Sequence, residues 1–210
     1  MIELITRNVV LLARQFNPAI LTDIWLVNEG IVTEEEFNQR TERLVTPVFS
    51  KIETAAFDLL AIDERLQLTL RAADLPAAIV RDKVGRIAEV LHHTPYTAVG
   101  FNFIYKMSRE GGIRQFLREQ FMVAGSAFAR RVDGPDAYYG CTMLKPAHGG
   151  FQKVTIMPRP EEENAVVDIN YHLTLAGTPQ EIGVQIAGRI DQWQQLNDES
   201  EATARAIDEG

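Results

Sequence analysis

The sequence has very little cysteine and no long apolar run near its start. Cys141 is the single cysteine among 210 residues, so no disulfide can form within the chain and no cysteine cluster can hold a metal. The longest uninterrupted apolar stretch in this region is VVLLA at residues 9–13. A membrane-spanning helix needs roughly 20 apolar residues. These shortages predict a cytoplasmic protein without a membrane segment or a bound metal.

Familiar catalytic motifs and an excess of basic charge are also missing. The chain contains no GxxxxGK[ST], GxGxxG, HExxH, GxSxG or CxxC motif, so no cofactor is predicted. Acidic residues outnumber Lys and Arg by 29 to 21, a formal net charge of -8 that repels nucleic acid. The 46% of hydrophobic residues nevertheless predicts a packed globular fold without general nucleic-acid binding.

Apolar and polar residues alternate over much of the chain, which is typical of β-strands. In VVDINYHLTL the apolar side chains fall on one face, while Asp168, Asn170 and His172 fall on the other. This pattern predicts a sheet that is buried on one side. The strands predicted in this way are residues 2–16, 20–27, 51–62, 65–71, 96–105, 138–145, 151–158 and 165–175. AIDERLQ and PRPEEEN predict hairpin turns between strands.

Helices are predicted at fewer places, from apolar side chains at helical spacing and from capping signals. TPQE at Thr178 and TEEE at Thr33 are capping boxes, in which a threonine and a glutamate satisfy each other's free backbone amides. The predicted helices are residues 75–93, 112–123 and 178–207, with a short one after Thr33.

These elements predict an α+β fold, mainly an antiparallel sheet with the helices 75–93 and 178–207 on one face. LQLTL followed by VGRIAEVL is echoed by YHLTL followed by AGRIDQWQQL, so the fold is either two duplicated α+β halves or a chance similarity. We expect one domain over residues 1–210. A loop at residues 130–140 would separate subdomains 1–130 and 138–210, and the acidic residues 198–210 either extend the last helix or fray.

The stretch LHHTPYTAVGFN carries the first candidate site. His92 and His93 precede a proline that ends the helix, so they either stabilise the helix end or serve in catalysis or ligand binding. Gly100 and Asn102 share one face of the following strand. That face is either a packing contact with a helix or the floor of a small pocket.

Arginines of the middle segment form a second candidate site. Arg114 and Arg118 lie one helical turn apart and would bind a carboxylate, a phosphate or an acidic partner, unless they form a solvated helix face with Glu110 as a partner. Asp168 and His172 are too far apart along one strand for a direct hydrogen bond, and His148 lies in a turn without an evident partner. No residue is therefore assigned a catalytic role.

The segments FNPAILTDIWL, ERLQLTL and above all LHHTPYTAVGFN resemble an uncharacterised family of bacterial proteins of similar length. The arrangement that ends in VVDINYHLTL and a long helix is also similar, in topology, to a sporadically distributed bacterial family with an RY-N strand pattern, where this chain reads GFNF. Both resemblances imply a shared fold, and neither implies an activity.

Together these observations predict a non-enzymatic interaction or assembly protein, homo-oligomeric and working with a protein partner. One alternative is a protein that binds a small ligand or anion through His92, His93, Gly100, Asn102, Arg114 and Arg118. Another is a hydrolase-like enzyme that uses His92 or His93. A deep polar pocket at these residues would favour the alternatives, whereas a large apolar patch elsewhere would favour the interaction protein.

Overall fold

A computed structural model of the chain describes residues 1–71 and 75–209. These residues form an α+β fold built on one sheet of nine strands, in agreement with the predicted class. The strands are β1 Ile2–Ala13, β2 Glu42–Val45, β3 Phe49–Glu53, β4 Phe57–Ile62, β5 Arg65–Leu70, β6 Tyr96–Met107, β7 Cys141–Ala147, β8 Gly150–Arg159 and β9 Asn164–Thr174.

Seven helices accompany the sheet in the described part of the chain. The third, α3, is continuous but consists of Ala78–Val80, a π-helical turn Arg81–Gly85, and Arg86–Val90. The others are α1 Asp23–Asn28, α2 Glu34–Asn38, α4 Ile113–Phe121, α5 Ala127–Val132, α6 Pro179–Asp191 and α7 Trp193–Glu209.

The strands follow the spatial order β2-β3-β4-β5-β1-β6-β9-β8-β7, and every neighbouring pair is antiparallel. The two longest strands, β1 and β6, lie side by side in the middle, and in this pair Asn8 lies opposite Asn102. Strands β2 and β7 are the two edges of the sheet. The predicted antiparallel sheet is therefore confirmed, and its order brings residues far apart in sequence onto one surface.

Alternating burial on β9 confirms the reading of VVDINYHLTL. The apolar side chains of one face, Val167, Ile169, Tyr171 and Leu173, are buried, whereas Asp168, Asn170 and His172 are only half-buried. On β6 the aromatic rings of Phe101 and Phe103 lie 5.7 and 5.1 Å from the ring of Trp193, so the first residue of α7 is held against the sheet. Burial of these large rings is a main contribution to the core.

The predicted helix ends are confirmed where a side chain caps the backbone. Both threonine capping boxes are present, at Thr33 before α2 and at Thr178 before α6. The histidine pair follows the end of α3 and precedes Pro95, and β6 begins one residue later. HHTP is therefore the joint between a helix and a strand.

Three predicted elements were wrong in detail. Residues 20–27 hold the end of a 3-10 turn, Pro18–Ile20, and most of α1 instead of a strand. The Thr22 hydroxyl accepts a hydrogen bond from the amide of Trp25 at 3.3 Å and starts the helix. The predicted strand 51–62 is divided into β3 and β4 by a turn. In this turn the Thr54 hydroxyl accepts a hydrogen bond from the amide of Phe57 at 3.0 Å. The long helix 178–207 is divided at Gln192 into α6 and α7.

Helix α5 was not predicted, and it occupies the start of the loop expected at residues 130–140. Its N-terminus is capped by the Ser126 hydroxyl, which accepts a hydrogen bond from the amide of Ala129 at 2.9 Å. The acidic C-terminal residues are helical as far as Glu209, and residue 210 lies outside the described residues.

Candidate functional site

The six residues predicted as a ligand site lie in three different places. His92 and His93 follow α3, Gly100 and Asn102 lie on β6, and the two arginines lie on α4. The pair on β6 is the only one of the three that lies inside the sheet.

The two histidines are exposed and pack against each other. Their ring centroids are 3.9 Å apart at an interplanar angle of 47°. Nδ1 of His92 lies 3.2 Å from the backbone carbonyl oxygen of Glu89, one turn earlier in the helix. A histidine at this position interacts favourably with the C-terminal end of a helix.

Both predicted arginines interact with acids of the segment that follows α5. Arg118 forms an ion pair with Asp133, which also accepts a hydrogen bond from the hydroxyl of Tyr139. The hydrogen bond from Tyr139, followed by that from Arg118, lowers the pKa of the Asp133 carboxyl. Arg114 Nη1 lies 3.6 Å from Asp136 Oδ1.

Three asparagines form a hydrogen-bonded ladder across the middle of the sheet. Nδ2 of Asn170 donates to Oδ1 of Asn102 at 2.6 Å, and Nδ2 of Asn102 donates to Oδ1 of Asn8 at 2.6 Å. Their strands β9, β6 and β1 are neighbours, and the three residues lie opposite one another in the register. We call this side of the sheet the asparagine face.

A cavity of about 320 Å³ lies on the asparagine face. Gly100 lies in its lining, and a Cβ atom added there would be 3.7 Å from Cβ of Val10, which is ordinary contact distance. The neighbours of Gly100 are thus strand residues rather than a helix. The lining consists of Asn8, Val10, Leu12, Arg65, Gln67, Gly100, Asn102, Ile104, Asp168, Asn170 and His172.

Asp168 is the acidic group of this cavity. Burial raises the pKa of its carboxyl, and the positive charge of Lys153 opposes that effect. Its Oδ1 atom is buried and has no hydrogen-bond partner within residues 1–71 and 75–209. The ring of His172 stacks on Phe151, with centroids 4.8 Å apart. A few half-buried polar groups around one cavity are a feature of small-ligand sites.

A larger groove, of about 950 Å³, lies between α3 and α6. Its lining includes small residues of both helices, and Val184 is 75% exposed within it. The helices approach closely at Gly85, where an added Cβ would be 3.7 Å from Cδ1 of Ile190. Its lining includes Gly30, Thr33, Arg81, Asp82, Lys83, Gly85, Arg86, Ala88, Glu89, His92, Pro179, Gln180, Gly183, Val184, Ile186, Ala187 and Ile190. We call it the interhelical groove.

Each lysine or arginine that lines the groove has an acidic partner. Arg81 Nη1 lies 3.4 Å from Asp191 Oδ1, and Arg86 Nη1 lies 3.0 Å from Glu89 Oε2. The buried ammonium group of Lys83 donates to Oε2 of Glu36 at 2.7 Å. Burial alone would raise the pKa of the Glu36 carboxyl, but the hydrogen bonds from Lys83 and from the Thr33 amide outweigh it, and the pKa is lowered.

The interhelical groove was missed by reasoning from the sequence. A signal was present, because the helical stretches 75–93 and 178–207 each carry a glycine and an alanine about one helical turn apart. They are Gly85 and Ala88, three residues apart, and Gly183 and Ala187, four residues apart. Small side chains at helical spacing indicate either close helix packing or a surface depression. Only the way in which the two helices pack against each other decides between close packing and a depression.

His148 is a correction to the sequence reading. It was predicted to lie in a flexible turn without a partner, but its Nε2 lies 2.8 Å from Oε2 of Glu199, and its carbonyl oxygen accepts a hydrogen bond from Arg189 at 2.6 Å. The turn between β7 and β8 is thereby tied to α6 and α7.

Comparison with known proteins adds no family to this description. No protein-family model matches the chain, and no curated protein matches it. None of the described helices combines the length and the hydrophobicity that a membrane crossing needs. Within the same residues, no group of three or more His, Cys, Asp or Glu side chains is arranged to hold a metal ion.

Proposed function

We propose that the chain is a non-enzymatic interaction protein that holds a helical segment of a protein partner in the interhelical groove. The observation that supports this function is the groove itself, whose volume of about 950 Å³ matches several side chains of a bound helix. Amphipathic helices bind other proteins by laying an apolar face into such a groove.

The charges of the groove favour an apolar partner segment over a small anion. Arg81, Lys83 and Arg86 each have an acidic group of this chain within 4.0 Å, so their charge is largely compensated before any ligand arrives. The lining includes small and aliphatic side chains, among them Ala88 and Ala187. The π-helical turn Arg81–Gly85 lies along the same groove, and π-helical turns occur frequently at functional sites.

The test is an affinity capture from the cells that make the protein, followed by mass spectrometry of proteins and small molecules. Val184→Glu places a charge in the groove. Ile24→Glu is its matched control, because Ile24 is 74% exposed on α1 and is not among the groove residues. We expect a stoichiometric partner with the wild type and with Ile24→Glu, and its loss with Val184→Glu.

Capture alone does not identify the site, so the partner's amphipathic helices are then synthesised and titrated against purified protein. One of these peptides should bind the wild type and Ile24→Glu equally and bind Val184→Glu about tenfold more weakly, a loss of about 1.4 kcal/mol. Capture and peptide binding that are both indifferent to Val184→Glu would overturn the assignment of the groove.

A second candidate function is the binding of a small polar ligand on the asparagine face. It is supported by the cavity of about 320 Å³ and by the buried oxygen of Asp168, which has no hydrogen-bond partner in the described part of the chain. Arg114 and Arg118 are not among the lining residues, so we do not include them in this site. A small molecule retained by the wild type in native mass spectrometry and lost in Gly100→Val, with no protein captured, would favour this function.

We further propose that the chain repeats one ancestral unit, divided at HHTP instead of at the loop 130–140 expected from the sequence, and that the helices of both units cover one face of the sheet. Support comes from β1 and β6, which are 12 residues long each and are each followed by two short helices, antiparallel strands and an amphipathic helix. We also propose that the chain is related to the bacterial family that LHHTPYTAVGFN resembles. The single cysteine supports a location in the cytoplasm.

A further inference from the structure

Strand β7 buries little of itself against its own chain. It is an edge of the sheet, and among the described residues it pairs with β8 alone. Residues 142–146 are all exposed, although two of them are apolar: Leu144 is 65% exposed and Met143 is 46% exposed. An edge strand presents unpaired backbone groups, and a long apolar edge is a template for pairing with another chain.

The turn before β8 decides which backbone groups of β7 point outward. His148 and Gly149 both have positive φ, 51° and 77°, as in a two-residue hairpin turn, so Ala147 and Gly150 form its hydrogen-bonded closing pair. Hydrogen-bonded and non-hydrogen-bonded pairs alternate along an antiparallel ladder. The N–H and C=O groups of Thr142 and Leu144 therefore point away from β8, as does the carbonyl of Pro146.

We propose that two copies of this chain pair through β7, antiparallel, with Met143 opposite Met143 of the second copy. The inference goes beyond the groove proposed above and names a second copy of the chain as the partner in the homo-oligomer that the sequence predicts. In this register Thr142 of each copy lies opposite Leu144 of the other. Each strand contributes two outward N–H groups and two outward C=O groups, so the two copies form four hydrogen bonds between them. The two sheets become one sheet.

The neighbouring registers fit less well. A pairing centred on Leu144 places Pro146 opposite Thr142, where a proline ring replaces the N–H that the Thr142 carbonyl needs. A pairing centred on Thr142 places Leu144 opposite Gly140, which lies outside the strand. The Met143 register avoids both defects, because its hydrogen-bonded pairs use the middle of β7 and Pro146 lies beyond the last of them.

The side chains agree with the same register. Met143 meets its own copy at a non-hydrogen-bonded position, where Cα atoms are about 4.5 Å apart, and the two Leu144 side chains are diagonal neighbours on the opposite face. Lys145 faces Cys141 of the second copy, so the two ammonium groups stay apart. A strand edge of this length is small beside interfaces of about 1,200–2,000 Å², and we expect a dimer that dissociates on dilution.

Cysteine cross-linking tests the register. Met143→Cys in a Cys141→Ser background should give a disulfide-linked dimer on mild oxidation, since its Cα separation suits a disulfide. Lys145→Cys should cross-link when Cys141 is present and fail to do so in the Cys141→Ser background. Equal cross-linking of Lys145→Cys in both backgrounds, or none from Met143→Cys, would overturn the register.

Sedimentation at increasing concentration tests the dimer itself. We expect the wild type to shift from monomer to dimer, and Leu144→Pro to require about tenfold more protein, since proline removes one outward N–H and none of the bonds to β8. Circular dichroism checks that this variant is folded. A wild type that stays monomeric at every concentration would overturn the proposal. Val184→Glu should leave the dimer unchanged, so failure of the groove and failure of the edge are separate results.

Discussion

At the scale of single residues, Asn102 is the member of the asparagine ladder with two side-chain bonds. Replacing it with alanine leaves Oδ1 of Asn8 and Nδ2 of Asn170 without partners, and Asn8 is only 6% exposed. We expect Asn102→Ala to lower the free energy of unfolding by about 1–3 kcal/mol. Urea denaturation measures the change.

Asn170→Ala is the matched control for that prediction. It removes the same side chain from the end of the ladder and breaks one bond instead of two. The loss of unfolding free energy should therefore be smaller than in Asn102→Ala. Equal losses in the two variants would mean that burial of the side chains, rather than the ladder, sets their contribution.

Glu36 gives a prediction about pH. The pKa of its carboxyl is lowered in the folded protein, because the bonds from Lys83 and Thr33 outweigh the effect of burial. A carboxyl with a depressed folded pKa stabilises the protein above its unfolded pKa of about 4.3, and this stabilisation is lost as the pH falls through the folded pKa. The urea midpoint of the wild type should therefore fall more between pH 6 and pH 3, roughly the window set by these pKa values, than that of Glu36→Gln.

Glu34→Gln is the control for this pH dependence. Glu34 lies on the same short helix, is exposed, and does not belong to the capping box, which consists of Thr33 and Glu36. Its variant should keep the acid sensitivity of the wild type. If the urea midpoints of both glutamine variants fall between pH 6 and pH 3 as much as that of the wild type, Glu36 binds about the same number of protons in the folded and the unfolded state. That result would contradict the prediction.

At the scale of secondary-structure elements, the start of α6 depends on its capping box. The amide of Thr178 donates to Oε2 of Glu181 at 2.7 Å, and the Thr178 hydroxyl accepts from the amide of Glu181 at 3.4 Å. We expect Thr178→Ala to cost about 1 kcal/mol of unfolding free energy, whereas Thr178→Ser keeps the hydroxyl and should cost much less. Thermal or urea unfolding of both variants checks the difference, and equal losses would contradict it.

Elements with a local cause were predictable from the sequence, and elements set by distant residues were not. The capping boxes at Thr33 and Thr178 and the alternation of β9 act within a few residues, so their patterns are visible in the chain. Residues 20–27 carry a strand-like pattern, but one hydroxyl at Thr22 satisfies a backbone amide and helix forms instead. A short capped turn outweighed the apolar pattern here.

The candidate sites depend on register between strands and helices, which the sequence does not display. Gly100 and Asn102 were recognised as one face of a strand, but the asparagine ladder exists only because β1, β6 and β9 are neighbours. The acidic partner of Arg114 was expected at Glu110 and is found at Asp136, which becomes a neighbour only when the chain returns after α5. The interhelical groove likewise forms only because α3 and α6, which are far apart in sequence, are neighbours in the fold.

At the scale of the whole molecule, the centre of the sheet is the pairing of β1 with β6, and the two strands belong to opposite sides of HHTP. The amino nitrogen of Met1 lies 3.2 Å from Oδ1 of Asp208, so the first residue and the end of α7 are close together. His92 and His93 are exposed in the connection that joins the two parts. If that connection is only a joint, the chain can be opened there.

A circular permutant tests this view together with the proposed duplication. It begins at Thr94, continues through Gly210 and a short flexible linker to Met1, and ends at His93. We expect it to fold with the circular dichroism of the wild type, because the new ends lie in an exposed connection and every strand and helix stays intact. A second permutant, opened between Phe101 and Asn102, interrupts β6 and with it the ladders to β1 and β9, and it should fail to fold. Unfolding of the first permutant alone would mean that the HHTP connection holds the two parts in place, and would count against two units that each carry their own folding information.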